Sequence, residues 1–285
     1  MEITSEQGDN ETRMSGKVDT LRLFFGDPYP INDQITIKQP TLMEIMEYGE
    51  SEFYSMVYIF IGNTTYRKLF LWENGIDWNK ISDYELFINL VRMLPNEMTK
   101  VMFGDIDFTG FHLYERDDPA PEPPLEGKVK VVEKNKYAMR IYDRTHTFIN
   151  EDQGIEINPD TYYFMRSVMR EMFKSFPKTE YANGAATRDL LITEEQEKMQ
   201  RALKEQKEVD DSTLLPMISF CVNHPGFKYK TSELREIGIY EFMDSVQRLQ
   251  IWESTHALLN GSMSGFCDTS KIPQSQFDFM RTINK

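Results

Sequence analysis

The chain of 285 residues holds two cysteines and four histidines, so thiol or imidazole chemistry must draw on these few positions. Cys221-x-x-His224 has the spacing at which one turn of chain offers two zinc ligands, but a structural zinc needs four convergent donors. The second pair would have to come from Cys267 and His256, or from His112 or His146, and none of these shows a paired spacing. Cys267 and His256 would make a thiol–imidazole pair if the fold joined them. A buried thiol and a surface imidazole is the plainer expectation. Asp105-x-Asp107-x-Thr109 begins like a calcium loop, yet its twelfth position, where a bidentate carboxylate belongs, is Arg116. Gly261-Ser-Met-Ser-Gly265 resembles a nucleophile elbow only loosely, and it follows a helical pattern rather than a strand. Acidic pairs such as Asp77 and Asp83 are too common in this chain to single out acid–base work. Glycine-rich phosphate loops are absent. The residue types predict no catalytic residue, no cofactor and no metal, and a protein that is not an enzyme.

The bulk composition narrows the partners. A formal net charge of -14 opposes binding to phosphate backbones, which Lys and Arg drive, so no direct contact with nucleic acid is expected. Basic protein surfaces are compatible with it, including proteins that themselves bind nucleic acid. With 40% apolar and 13% aromatic residues, the chain can build a core. Two cysteines make no disulfide framework and fit buried free thiols in a reducing compartment. The N-terminal segment is polar and lacks the apolar stretch of a signal peptide. No apolar run reaches the roughly 18 residues of a membrane span. A soluble cytoplasmic protein is expected, with no membrane contact.

Periodicity and turn chemistry predict an α+β fold. Residues 1–20 read as a flexible acidic tail. Residues 21–150 read as a mixed α/β domain with short strands, a hairpin and helices, and residues 151–285 as a mostly helical domain. Leu21–Phe25 and Gln34–Lys38 have strand character. Thr41-Leu-Met-Glu44 and Ser82-Asp-Tyr-Glu85 match capping boxes that open helices. Between them, Glu50–Ile61 and Thr64–Trp72 read as helices stopped by Gly62-Asn63 and Asn74-Gly75. Val101–Glu115 alternates like paired strands. Asp117–Gly127 is a Pro-rich acidic loop, residues 128–142 a hairpin, and Ile155–Ile157 a further short strand.

In the second domain a helix follows Pro159. Thr193-Glu-Glu-Gln196 predicts a third capping box, opening a charged helix laced by i,i+4 ion pairs. Leu214–Val222 is nearly all apolar and reads as a core segment beneath the last helix. That last helix has the clearest pattern. Ile239, Phe242, Met243, Val246 and Leu249 share one face. Glu241, Asp244, Ser245, Gln247 and Arg248 fill the other, and Asn260-Gly261 predicts the end. The wet side, with Glu241, Asp244, Arg248 and Trp252 and the loop that follows, is the candidate protein-binding surface.

Several segments, in their order, carry a family resemblance. They are KQPTLMEIMEYGESEFYSM, LWENGIDWNKISDYELF, FGDIDF, NPDTYYFMRSVMREMF, YANGAATRDLLITEEQEK and IYEFMDSVQRLQIWESTHALLNGSMSGFCDTSKI. Together they resemble a protein family encoded in the tail-gene modules of long-tailed bacteriophages of Gram-positive bacteria. The match covers most of residues 35–280, and the Pro-rich segment 117–127 is longer than the corresponding connection in the family. The resemblance implies a tail assembly chaperone-like protein of the host cell cytoplasm. Its partners would be phage tail proteins, the tape-measure or tail-tube subunits, held soluble until they polymerise. The 17 methionines fit a surface that re-packs around varied partners. Self-association is compatible with the same features. Two other functions stay open on the sequence: an acidic inhibitor of a host defence or nucleic-acid-binding protein, and a structural virion component such as a connector.

Overall fold

The structure is a computed structural model, and it describes residues 17–115, 146–204, 212–265 and 270–282. Most of the acidic tail, the Pro-rich loop, the expected hairpin at 128–142 and Cys267 lie outside the described residues. The fold is α+β, with small antiparallel sheets in the N-terminal half and a helical C-terminal part.

Leu21–Phe25, expected as a strand, is helical instead. Helix α1 (Thr20–Phe24) starts because Asp19 Oδ1 accepts the N–H groups of Leu21 and Arg22 at 3.0 and 3.2 Å, a cap that outweighs the strand character of the residues. Strands β1 (Tyr29–Pro30) and β2 (Thr36–Ile37) form a short antiparallel ribbon. Helix α2 (Leu42–Tyr48) opens on the capping box: Glu44 N–H donates to Thr41 Oγ1 at 3.2 Å, and Thr41 N–H donates to the Glu44 carboxylate at 2.8 Å.

Helix α3 (Glu50–Ile61) buries Phe53, Met56, Val57, Phe60 and Ile61, a wide stripe at helical spacing. After α4 (Lys68–Glu73) come α5 (Asp83–Val91), capped by Ser82, and α6 (Asn96–Phe103). Val101–Phe103, expected to be extended, closes α6. Thr99, Met102 and Phe103 are buried together at i, i+3, i+4, so the helical period wins over the apparent alternation. Strand character begins only at β3 (His112–Glu115), which pairs with β4 (His146–Asn150), which in turn pairs with β5 (Ile155–Ile157). Phe148 lies opposite Leu113 on one side and Ile157 on the other. Ring contacts from Phe60 through Phe103, Phe108 and Phe111 to Phe148, with centroids 4.6 to 5.7 Å apart, carry the core from helix to sheet.

Helix α7 (Pro159–Met172) starts with Pro at its first turn and Asn158 as cap. It packs on α3 and α5, so the centre of the fold is α3 with α2, α5, α6 and α7 around it. Helix α8 (Ala185–Lys204) begins well before the expected Thr193 box. Thr193 sits inside it and donates its hydroxyl to the Asp189 carbonyl at 2.8 Å. Its outer half carries one i,i+4 ion pair of the expected kind, Glu197–Arg201, and an i,i+3 pair, Glu195–Lys198. Helix α9 (Leu214–Asn223) and helix α10 (Ile239–Ser264) follow, and a short 3-10 turn, Gln274–Phe277, lies beyond them. Helix α10 runs straight through Asn260-Gly261 and stops at Gly265, whose φ of 73° supplies the left-handed cap.

One buried cluster extends from Leu23 to Val246, so residues on both sides of position 150 share it. The starts of α2 and α10 are tied by Leu42 N–H to the Ile237 carbonyl at 3.1 Å and Ile239 N–H to the Pro40 carbonyl at 2.9 Å. Gly238 sits in this junction, and a Cβ there would collide with the Gln39 side chain.

Glu50 begins α3 but caps α9. Its Oε1 accepts the N–H groups of Thr213 and Leu214 at 2.7 and 2.9 Å, and the Ser212 and Thr213 hydroxyls also donate to the carboxylate. Burial raises this carboxyl, and the hydrogen bonds from Ser212, Thr213 and Leu214 outweigh it, leaving the group below the ordinary glutamate value. Such a group stabilises the fold above the ordinary glutamate range, and the contribution is lost as pH falls through its folded value. Glu50→Gln is expected to cost about 1–2 kcal/mol at neutral pH and to flatten the acid limb of the stability curve. Equal urea midpoints for the two proteins at pH 7 would show that the cap does not hold α9.

Candidate protein-binding face

Helix α9, LLPMISFCVN, contains no charged residue, and only one edge of it meets the core. Leu214 and Cys221, seven residues apart and hence on one face, are buried. Leu215, Phe220 and Val222 are 63%, 38% and 41% exposed. The expected core segment is therefore a helix beside α10 with much of its apolar surface in water. Burial pushes the Cys221 thiol up to about 11, which makes it a packing residue rather than a nucleophile.

The end of α9 is locked to α10 through His224. Its Nδ1 accepts the Gly226 N–H at 2.9 Å, so the ring proton sits on Nε2 and donates to Glu253 Oε1 at 2.9 Å. The imidazole lies 5.6 Å from the Phe220 ring and 5.8 Å from the Trp252 ring, which meets it edge-on. Trp252 in turn stacks on His256 at 5.0 Å and 13°. These four rings form a ladder across the two helices. On α10, Trp252, His256, Leu259 and Met263 recur at i, i+4, i+7, i+11 and make one stripe. Trp252 is 45% and Met263 83% exposed, so the stripe continues beyond the core to the helix end. A shallow cleft lined by Pro216, Phe220 and His224 borders it.

The four residues expected to form the binding surface fare differently. Glu241 accepts the Tyr229 hydroxyl. Asp244 pairs with Arg248 at 3.7 Å along the helix, and Arg248 also donates to the Arg281 carbonyl at 2.8 Å. Arg281 clasps the same helix, donating to Ser254 Oγ at 2.9 Å and to the buried Thr255 hydroxyl. Glu241, Asp244 and Arg248 thus have partners within the chain, while Trp252 keeps aromatic surface in solvent. Sequence reasoning missed Phe220 and Glu253, and weighed His224 only as a metal ligand. The available signal was a charge-free run ending in the Asn-His-Pro-Gly turn.

The other residues weighed as chemical groups have local tasks. Asp107 Oδ1 accepts the Thr109 N–H at 3.0 Å and the Thr109 hydroxyl at 2.7 Å, closing a turn. Asp83 holds Arg166, and Asp77 holds Arg188. Among the described residues no three His, Cys, Asp or Glu side chains converge as a metal-holding group. The pairing of Cys267 with His256 lies outside the described residues. No helix among those described is long and apolar enough to cross a membrane.

Fold and surface together define a class, an α+β protein that presents an apolar helical face. Comparison of the chain with protein-family models, curated proteins and solved structures finds no match.

Proposed function

We propose that this chain is a non-enzymatic binding protein that holds phage tail proteins, tape-measure or tail-tube, in the host cell cytoplasm during tail assembly. The observation that carries the reading is α9, an uncharged helix that leaves Leu215, Phe220 and Val222 in water next to Trp252. Apolar surface gains about 25 cal/mol per Å² when it leaves water, so a partner that covers this face is stabilised there. Two adjacent helices with an apolar seam accept an amphipathic helix by groove packing. The sequence resemblance supplies the identity of the partners, and the net charge of -14 fits a protein that keeps apolar clients in solution.

Coexpression with tape-measure or tail-tube fragments should give a complex that co-migrates on size exclusion. Phe220→Asp should weaken it about tenfold or more without unfolding the chain, because that side chain already touches water. Absence of a complex, or a complex indifferent to Phe220→Asp, would overturn the reading. A dimer formed without any tail protein and broken by Phe220→Asp would assign the face to self-association instead.

A further inference from the structure

We propose that the segment bound at the α9–α10 face is a basic amphipathic helix. One of its Lys or Arg side chains sits against the exposed part of the Trp252 indole and pairs with the Glu253 carboxylate. The proposal rests on this face being the binding face, and it specifies the chemistry of the occupant.

Three features select a cation. First, Trp252 is already half-dressed for one: His256 stacks on the indole and His224 lies at right angles to it, yet the ring stays 45% exposed. An indole face is the strongest side-chain attractor for an ammonium or guanidinium group. Second, Glu253 is the next residue on the helix, and its side chain is 54% exposed. Its Oε1 takes the His224 proton, while Oε2 has no hydrogen bond among the described residues. With His224 Nδ1 accepting the Gly226 N–H, the ring donates through Nε2 and so orients the Glu253 carboxylate. Third, the surrounding stripe of Phe220, Leu259 and Met263 brings no positive charge, and the chain's net charge of -14 draws basic segments toward it. An acidic amphipathic helix could cover the apolar stripe, but it would bring a like charge to Glu253.

The test titrates the full chain by calorimetry with a synthetic leucine–lysine amphipathic helix about five turns long, and with its leucine–glutamate counterpart. The lysine peptide should bind and the glutamate peptide should not. Raising salt from about 0.05 to 0.3 M should weaken the lysine complex. Glu253→Gln, which keeps the hydrogen bond from His224, should weaken it about fivefold to tenfold. Trp252→Leu, which keeps an apolar anchor but removes the indole face, should weaken it to a similar degree. Glu73→Gln, on the distant helix α4, removes the same charge and should leave affinity unchanged. Equal losses from Glu73→Gln and Glu253→Gln, or no loss from either Trp252→Leu or Glu253→Gln, would overturn the proposal. If the lysine peptide docks as described while tail proteins do not bind, this inference stands and the tail reading fails. If tail proteins bind and Glu253→Gln leaves their affinity unchanged, the tail reading stands and this inference fails.

Discussion

Replacing Arg166 with alanine is expected to destabilise the protein by about 3–5 kcal/mol, the range for removing one partner of a buried ion pair. The guanidinium is 1% exposed and its Nη1 lies 2.6 Å from Asp83 Oδ2. The same guanidinium lies over two rings, 4.7 Å from the centre of Tyr163 and 5.3 Å from that of Tyr162. Asp83 does more than pair, because its Oδ1 accepts the Thr64 N–H at 2.7 Å. Arg166 on α7 is thereby connected through one carboxylate to α5 and to the turn that follows α3. Alanine would leave Asp83 poorly solvated and open a cavity against both tyrosines. Lysine keeps the charge but loses the planar stacking, and should cost about 1–2 kcal/mol. Urea unfolding of the three proteins at neutral pH measures both effects. An alanine variant within about 1 kcal/mol of the parent would show that packing around α7 does not depend on the pair.

Phe60→Ala is expected to cost a similar amount, about 3–5 kcal/mol, for a different reason. Phe60 is fully buried on α3, with its ring centroid 4.6 Å from Phe103, 5.5 Å from Phe108 and 5.6 Å from Phe87. It is the point where α5, α6 and the turn before β3 meet the central helix. Truncation removes apolar area and leaves a cavity whose walls belong to separate elements, so they cannot all close in. Because the ring contacts lead on to Phe111 and Phe148, amide protection should fall in β3 and β4 as well as in α3. Phe60→Leu should retain most of the stability. Unchanged hydrogen exchange in β4 of Phe60→Ala would separate the sheet energetically from the helical core.

The two substitutions probe the rigid part of the molecule, and the proposed binding face lies at its margin. Helix α9 is held by the Glu50 cap, by Leu214 and Cys221 in the core, and by His224 against α10. Its exposed side chains Leu215, Phe220 and Val222 can meet a partner without disturbing the packing around α3. That division explains why binding variants such as Phe220→Asp and Glu253→Gln should keep the parent's stability, whereas Arg166→Ala and Phe60→Ala should be destabilised.

What was legible in the chain was chemistry closed within a few residues. The Thr41–Glu44 box, the break at Gly62, the stop at Asn74-Gly75 and the start at Pro159 each depend on bonds inside one turn, and each stands in the structure. The α+β class followed from the same local signals. The third box failed for want of a local reason: Ile192 packs with Leu71 and Trp78, and that contact carries the helix upstream through Thr193. The two apolar runs Phe53–Ile61 and Leu214–Val222 look alike by composition. The first became the centre because α2, α5, α6 and α7 all pack against it, and the second stayed half-exposed because α10 meets it along one side. Likewise, Glu241 and Arg248 sit on the wet side of their helix by spacing alone, yet Tyr229 and Arg281 reach them in the fold. A residue's pattern states which surface is apolar. Which neighbour covers that surface depends on contacts between segments far apart in the chain, whose geometry exists only once the whole core has closed.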